Sequence, residues 1–217
     1  MDELLELVGS FGLFQKFFCF AFICLFTLGS QFFQAIPFFT LQPKLECHIQ
    51  KQDLSFEKIE NCPKELACGL PKESDFYSIE WKAGNSLQNW MTDLNLICEP
   101  AFRIGLIGSL QFIGLAVGAL LFTPFSDVYG RKPVLAFSAV LTPLVILCLL
   151  LFTSSLDHIY FWIGLLSLSY SCRGSSAFIL GQEFLKKEHA IYFAATIFVF
   201  DGFVAIFGAF FFYFTKS

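Results

Sequence analysis

The chain has 217 residues, of which 56% are hydrophobic and 15% charged, against roughly 25% charged in an average soluble domain. A water-soluble core of this size has no room for so many apolar side chains, so a soluble globular fold is excluded. The net charge of −4 comes with no basic patch, which excludes nucleic acid as a partner.

The residues 1–16 carry Leu4, Leu5, Leu7, Val8, Phe11 and Phe14 among acidic groups and read as an amphipathic lead-in at the cytoplasmic interface. Their acidic character, and the length of the apolar run behind them, argue against a cleaved secretory signal. Charge-free runs then extend from Phe17 to Pro43, Ile104 to Ser126 and Pro133 to Leu156. Two more, Ile159 to Gln182 and Ala190 to Thr215, carry one charge each, Arg173 and Asp201. A hydrocarbon core of about 30 Å takes about 20 helical residues, and backbone groups in lipid must bond within their own helix. The expected class is therefore an all-α integral membrane fold with five transmembrane helices, at 17–41, 103–125, 133–154, 159–181 and 190–214.

Residues 42–102 form a large Cys-containing loop between the first two spans. Short loops at 126–132 and 182–189 carry Arg131, Lys132, Lys186 and Lys187, whereas the link around Thr153–His158 has neither Lys nor Arg. Basic residues in short loops mark the cytoplasmic side. The N-terminus is thereby placed in the cytoplasm and loop 42–102 outside the cytoplasm, in a multi-pass protein of the plasma membrane. Cys47, Cys62, Cys68 and Cys98 fall in or beside that loop and are disulfide candidates with three pairings open. A zinc site is the weaker alternative, because Cys62 and Cys68 lack finger spacing and His48 is the loop's single histidine.

After the second span comes Asp127-Val128-Tyr129-Gly130-Arg131-Lys132-Pro133. Gly130 suits a sharp turn, Pro133 suits the first turn of a helix, and a topology-setting turn explains the basic pair. The Asp at that offset needs a further reason. Asp-x-x-Gly-Arg-Lys resembles the signature loop of the major facilitator superfamily. Three other segments narrow the resemblance to the organic cation/organic anion transporter family: Val8-Gly9-Ser10-Phe11-Gly12-Leu13-Phe14-Gln15, the cysteine loop leading into Asn89-Trp90-Met91-Thr92-Asp93, and the run from Gly108 through Gly114 and Gly118 to Asp127. The resemblance implies the N-terminal half of a carrier that moves small organic ions by alternating access. Asp127, Gly130, Arg131, Lys132 and Glu183 would be its gating residues. Thr123, Val128 and His189 depart from the pattern of that latch.

Charge inside a span costs about 2.5–3.5 kcal/mol on insertion scales and calls for a reason. Arg173 either snorkels to the interface or faces the bundle. Asp201 is too short to snorkel, and is expected to be protonated, paired with Arg173 or facing an aqueous cavity. Gln31 and Gln34, three residues apart, are read as sharing one helix face, where they line a path or bond between helices. These four residues form a candidate substrate path. Gly105, Gly108, Gly114, Gly118 and Ala119 are read as surfaces for close helix packing.

No catalytic constellation, P-loop, metal site or cofactor is expected. The expected partners are the lipid bilayer, a small organic ion, and a missing C-terminal half or a further polypeptide. The alternative is a truncated, non-transporting accessory or structural membrane subunit.

Overall fold

The computed structural model describes residues 12–50, 56–69, 77–81 and 86–215. The part of the expected lead-in over residues 1–11 lies outside them, and so does the segment Val8–Phe11 of the family resemblance. In chain order the elements are helix α1 (Leu13–Phe39), strands β1 (Leu45–Gln50) and β2 (Phe56–Ile59), helix α2 (Lys64–Gly69), strand β3 (Tyr77–Ile79) and helix α3 (Trp90–Asp93). A 3₁₀ turn at Leu96–Cys98 precedes the long helices α4 (Ala101–Tyr129), α5 (Arg131–Phe152), α6 (Leu156–Glu183) and α7 (Lys187–Thr215).

Among the described residues four helices, α1, α4, α5 and α7, are long and apolar enough to cross a membrane. Helix α6 has the length, 28 residues, but it holds five serines together with Asp157, Arg173 and Glu183, which lower its hydropathy. The helices also run past the apolar segments. The loop expected at 126–132 contracts to Gly130, because α4 continues to Tyr129 and α5 begins at Arg131. Gly130 makes the break with φ of 90°, a conformation that costs glycine nothing. The loop expected at 182–189 contracts likewise to 184–186.

The chain divides into two compact units, and α1 and α7 contribute residues to both. The first comprises residues 12–34 and 105–207 among those described. Its most buried helix is α6, whose Ile159, Ile163, Leu166, Ser167, Ser169 and Cys172 are at most 2% exposed. Two glycines let α4 approach α6. A Cβ on Gly114 would lie 2.7 Å from the Gly164 carbonyl oxygen, and one on Gly118 would lie 2.9 Å from that of Leu168. Gly105 and Gly108, expected to pack in the same way, have nothing within 4 Å of where a Cβ would stand. Helix α5 meets α6 through polar atoms, a 2.8 Å hydrogen bond between the hydroxyls of Thr142 and Ser169 and a weak one from Cys172 Sγ to the Val134 carbonyl. An apolar cluster of Phe22, Ile23, Ala177, Leu180, Leu185, Phe193 and Ile197 joins α1, α6 and α7.

The second unit comprises residues 35–104 and 208–217, described as far as Thr215. Strand β1 pairs antiparallel with both β2 and β3, giving the order β2-β1-β3. Disulfides join Cys47 to Cys62 and Cys68 to Cys98, with Cα–Cα distances of 5.6 and 5.5 Å. The four loop thiols are thus consumed, which removes the zinc alternative. Leu45, Cys47, Cys62, Ala67 and Ile97 form the unit's small core. Asn89 fastens the segment before α4. Its side-chain Oδ1 accepts from the Met91 N–H at 3.1 Å, while its Nδ2 donates to the backbone carbonyls of Phe38 and Leu41 at the end of α1. Thr92 completes a capping box with it, and Met91 is fully buried. The stretch Asn89-Trp90-Met91-Thr92-Asp93 therefore holds a helix start and a chain crossing in one motif.

Candidate functional site

Apart from the loop cysteines and the exposed Gln31, the residues singled out in the sequence lie in two regions of the first unit. One surrounds the turn between α4 and α5. Arg131, in the first turn of α5, donates to the Glu183 carboxylate at the end of α6, and its Nη2 lies 3.6 Å from Asp127 Oδ1 at the end of α4. One guanidinium so ties three helix ends together. The cluster borders a cavity of about 520 Å³ that is also lined by Ser126, Lys132 and Leu180. Lys132 lines this space without an ion pair to Asp127 or Glu183. Val128, a departure from the family pattern, is 77% exposed and leaves the cluster to Asp127, Arg131 and Glu183. Such exposed ion pairs add about 0.2–1 kcal/mol each, so the cluster sets geometry more than stability.

The other cluster lies along the helices. Asp201 of α7 accepts hydrogen bonds on both carboxylate oxygens, from Ser30 Oγ on Oδ1 and from Gln34 Nε2 on Oδ2 at 3.0 Å. Ser30 and Gln34 are four residues apart on α1 and share a face. Gln31 is exposed, so of the two glutamines it is Gln34 that, with Ser30, bonds Asp201. Asp201 is not paired with Arg173: its two bonds go to α1 instead.

Arg173 does not snorkel. It is 7% exposed and lies over the Tyr170 ring, 5.7 Å from guanidinium carbon to ring centroid, a distance suited to cation–π attraction. The Tyr170 ring is itself 4.5 Å from that of Phe33. Gly29 makes this position available, because any Cβ there would overlap the guanidinium. Gly29, Ser30 and Tyr170 were not singled out in the sequence. A serine four residues before Gln34, with a glycine beside it, was the available signal.

The profile of the sugar (and other) transporter family matches residues 6–165. That match covers most of the chain, together with long apolar helices and a turn pinned by an ion pair, and the chain belongs to this family. Several of the proteins it is similar to are named organic cation transporters. It is 27% identical over 165 residues to an organic cation transporter-like protein of Drosophila melanogaster, a match covering 64% of this chain and 29% of the relative. To organic cation transporter 1 of Caenorhabditis elegans it is 29% identical over 171 residues, covering 67% of this chain and 29% of the relative. With the human organic cation/carnitine transporter 2 it shares 29% identity over 125 residues, 58% of this chain and 22% of the relative. The chain thus spans less than a third of the length of the relatives it matches.

Proposed function

We propose that this chain is part of a carrier that moves small organic ions across the plasma membrane by alternating access. Five spans cross the bilayer, at 17–41, 103–125, 133–154, 159–181 and 190–214. The N-terminus is cytoplasmic and the disulfide-bonded loop 42–102 is extracytoplasmic. A further polypeptide segment supplies the helices opposite these five, with the substrate path between the two sets.

The observation that carries this reading is the Asp201 carboxylate, held by Ser30 and Gln34 within long apolar helices. A polar cluster at that depth is costly unless it serves a pathway or a ligand. The Asp127–Arg131–Glu183 cluster supplies the second part of the mechanism. It locks three helix ends while exposed to water, so its bonds can break and re-form at small cost as the bundle rocks. Organic cations are the favoured cargo class, on the names of the relatives and the carboxylate in the path.

The test is uptake of radiolabelled tetraethylammonium by cells expressing the native gene product. Saturable uptake that falls at least tenfold in Asp201→Asn, at unchanged surface abundance, is the expected result. Full surface abundance with no saturable uptake of tetraethylammonium or of an organic anion rejects it. That outcome would favour the second reading, a non-transporting structural subunit, which the altered latch positions Thr123, Val128 and His189 support.

A further inference from the structure

Helices α4 and α5, joined at Gly130, leave between them an apolar cavity of about 500 Å³ lined by Phe122, Phe125, Tyr129, Pro133, Val134 and Phe137. Three of its rings, those of Phe125, Tyr129 and Phe137, are at least 50% exposed, so the cavity opens on the outer surface of the helices. Tyr129 and Pro133 also line the neighbouring cavity of Asp127, Arg131, Lys132 and Glu183, and the apolar space therefore adjoins a charged one. Asp127 and Glu183 both turn to Arg131, which leaves Lys132 on that wall with no ion pair to either. The start of α5 adds to the positive charge. Its first turn has no acidic residue and Gly130 offers no side-chain cap, so the positive end of the helix dipole stands beside two cations.

We propose that this pair of cavities holds one anionic phospholipid. An acyl chain lies among Phe122, Phe125 and Phe137, and the phosphate meets Lys132 and the first turn of α5. A water-soluble anion would leave the apolar cavity unfilled, and a sterol, with its single hydroxyl, would bring no counter-charge to Lys132. A net anionic head is favoured over a zwitterionic one, because Asp127, the acceptor that a headgroup ammonium would seek, is already shared with Arg131. Basic pockets between helices on the cytoplasmic side suit the anionic lipids of that leaflet. That the lipid comes from the cytoplasmic leaflet rests on the proposed topology; that the two cavities hold it does not.

The experiment uses the full native protein, purified in detergent and delipidated. It is titrated with dioleoyl phosphatidylglycerol, whose single charge is the phosphate, and with the phosphatidylcholine and phosphatidylethanolamine of the same chains, and bound lipid is counted by native mass spectrometry. The first phosphatidylglycerol is expected to bind about fivefold more tightly than phosphatidylcholine, the increment of one lysine beside an anionic head. Lys132→Gln is expected to remove that preference, and Asp127→Asn, which takes away a neighbouring negative charge, to enlarge it. The comparison of lipids in the unaltered protein needs no variant, so a misfolded one does not leave the question open. Equal binding of the three lipids overturns the proposal, as does a preference that survives Lys132→Gln. Tighter binding of phosphatidylethanolamine overturns it in favour of a headgroup ammonium on Asp127. Competition by sn-glycerol 3-phosphate overturns it in favour of a soluble phosphate, and binding of no lipid is the result expected if another polypeptide segment fills the cavity. Selective binding without saturable uptake would sink the transport reading and leave this site standing.

Discussion

The two units of this chain are held together by different means. Among its described residues the loop unit has a three-stranded sheet of short strands and a central apolar cluster of five buried residues, a small core for a stable unit. Two disulfides make up the difference. The helical unit has no covalent staple among its described residues; Cys19, Cys24, Cys148 and Cys172 are free. It is held by glycines that let backbones touch, by hydroxyls between helices, and by the bonds of Ser30 and Gln34 to Asp201. Lipid removes most of the hydrophobic drive between helices, so close packing and polar contacts must supply the specificity. Where water is present, cross-linking compensates for a small core.

The two regions should therefore fail under different insults. The largest effect belongs to the loop. Removing the Cys68–Cys98 disulfide, which spans 30 residues, releases a chain constraint of about 3–4 kcal/mol. Cys68→Ser is expected to open the loop to trypsin at Lys58 and Lys64 in native membranes, read by peptide mapping. An unchanged cleavage pattern would mean that the sheet and its core suffice without the staple.

The helical unit should be insensitive to reductant and sensitive to size. Gly114→Leu drives a side chain into the Gly164 carbonyl and Ser167, an overpacking cost of about 1–3 kcal/mol. A lower melting temperature in detergent is expected. Gly108→Ala on the same helix, where nothing lies within reach, should stay within about 0.5 kcal/mol of the parent. Equal effects at the two positions would contradict the close approach of α4 to α6.

Smaller still is the ion-pair cluster at the helix ends. Arg131→Ala removes contacts to Asp127 and Glu183, and its stability cost should be about 0.2–1 kcal/mol. Uptake kinetics should respond more than the melting temperature does. A large stability loss without any change in uptake would make the cluster a brace rather than a latch.

The least effect lies in the loop sheet. Lys58 bonds Glu46 at 2.9 Å, and that carboxylate raises the lysine above its ordinary range. A raised folded value means that the contribution is fully present below the unfolded lysine value, about 10.4. It is lost as pH climbs through the folded value. Protease resistance of the loop should thus be flat from pH 6 to 9 and weaken slightly above the lysine range. Lys58→Met should remove that alkaline dependence.

Much of this was legible in the sequence because lipid imposes a simple rule. Long apolar runs marked α1, α4, α5 and α7, the last with its single charge at Asp201, and the family resemblance pointed to the turn at Gly130. The loop was less legible. Four cysteines allow three pairings by spacing alone, and the fold selects Cys47–Cys62 and Cys68–Cys98. Strand β1 did leave a trace, since Leu45-Glu46-Cys47-His48-Ile49-Gln50 alternates apolar and polar residues with period two. Within the helices, spacing was a weaker guide than it looks. Gly105 and Gly108 read like Gly114 and Gly118, yet only the latter pair meets a neighbour. Gln31 and Gln34 lie three apart, yet Gln34 works with Ser30. Periodicity tells which residues share a stripe; the partner helix decides which part of the stripe is used.

The crossing of α6 tests the account most directly, since it is the one long helix whose composition falls short of a typical span. Single cysteines placed at Ser154, before α6, and at Lys187, after it, can be probed with a membrane-impermeant maleimide in intact cells. The endogenous free thiols of the helices serve as the background. The account predicts that Ser154→Cys is labelled from outside and that Lys187→Cys is labelled only after permeabilisation, together with Lys132→Cys. Labelling of Ser154→Cys and Lys187→Cys from the same side would contradict the five-span arrangement and the carrier built on it.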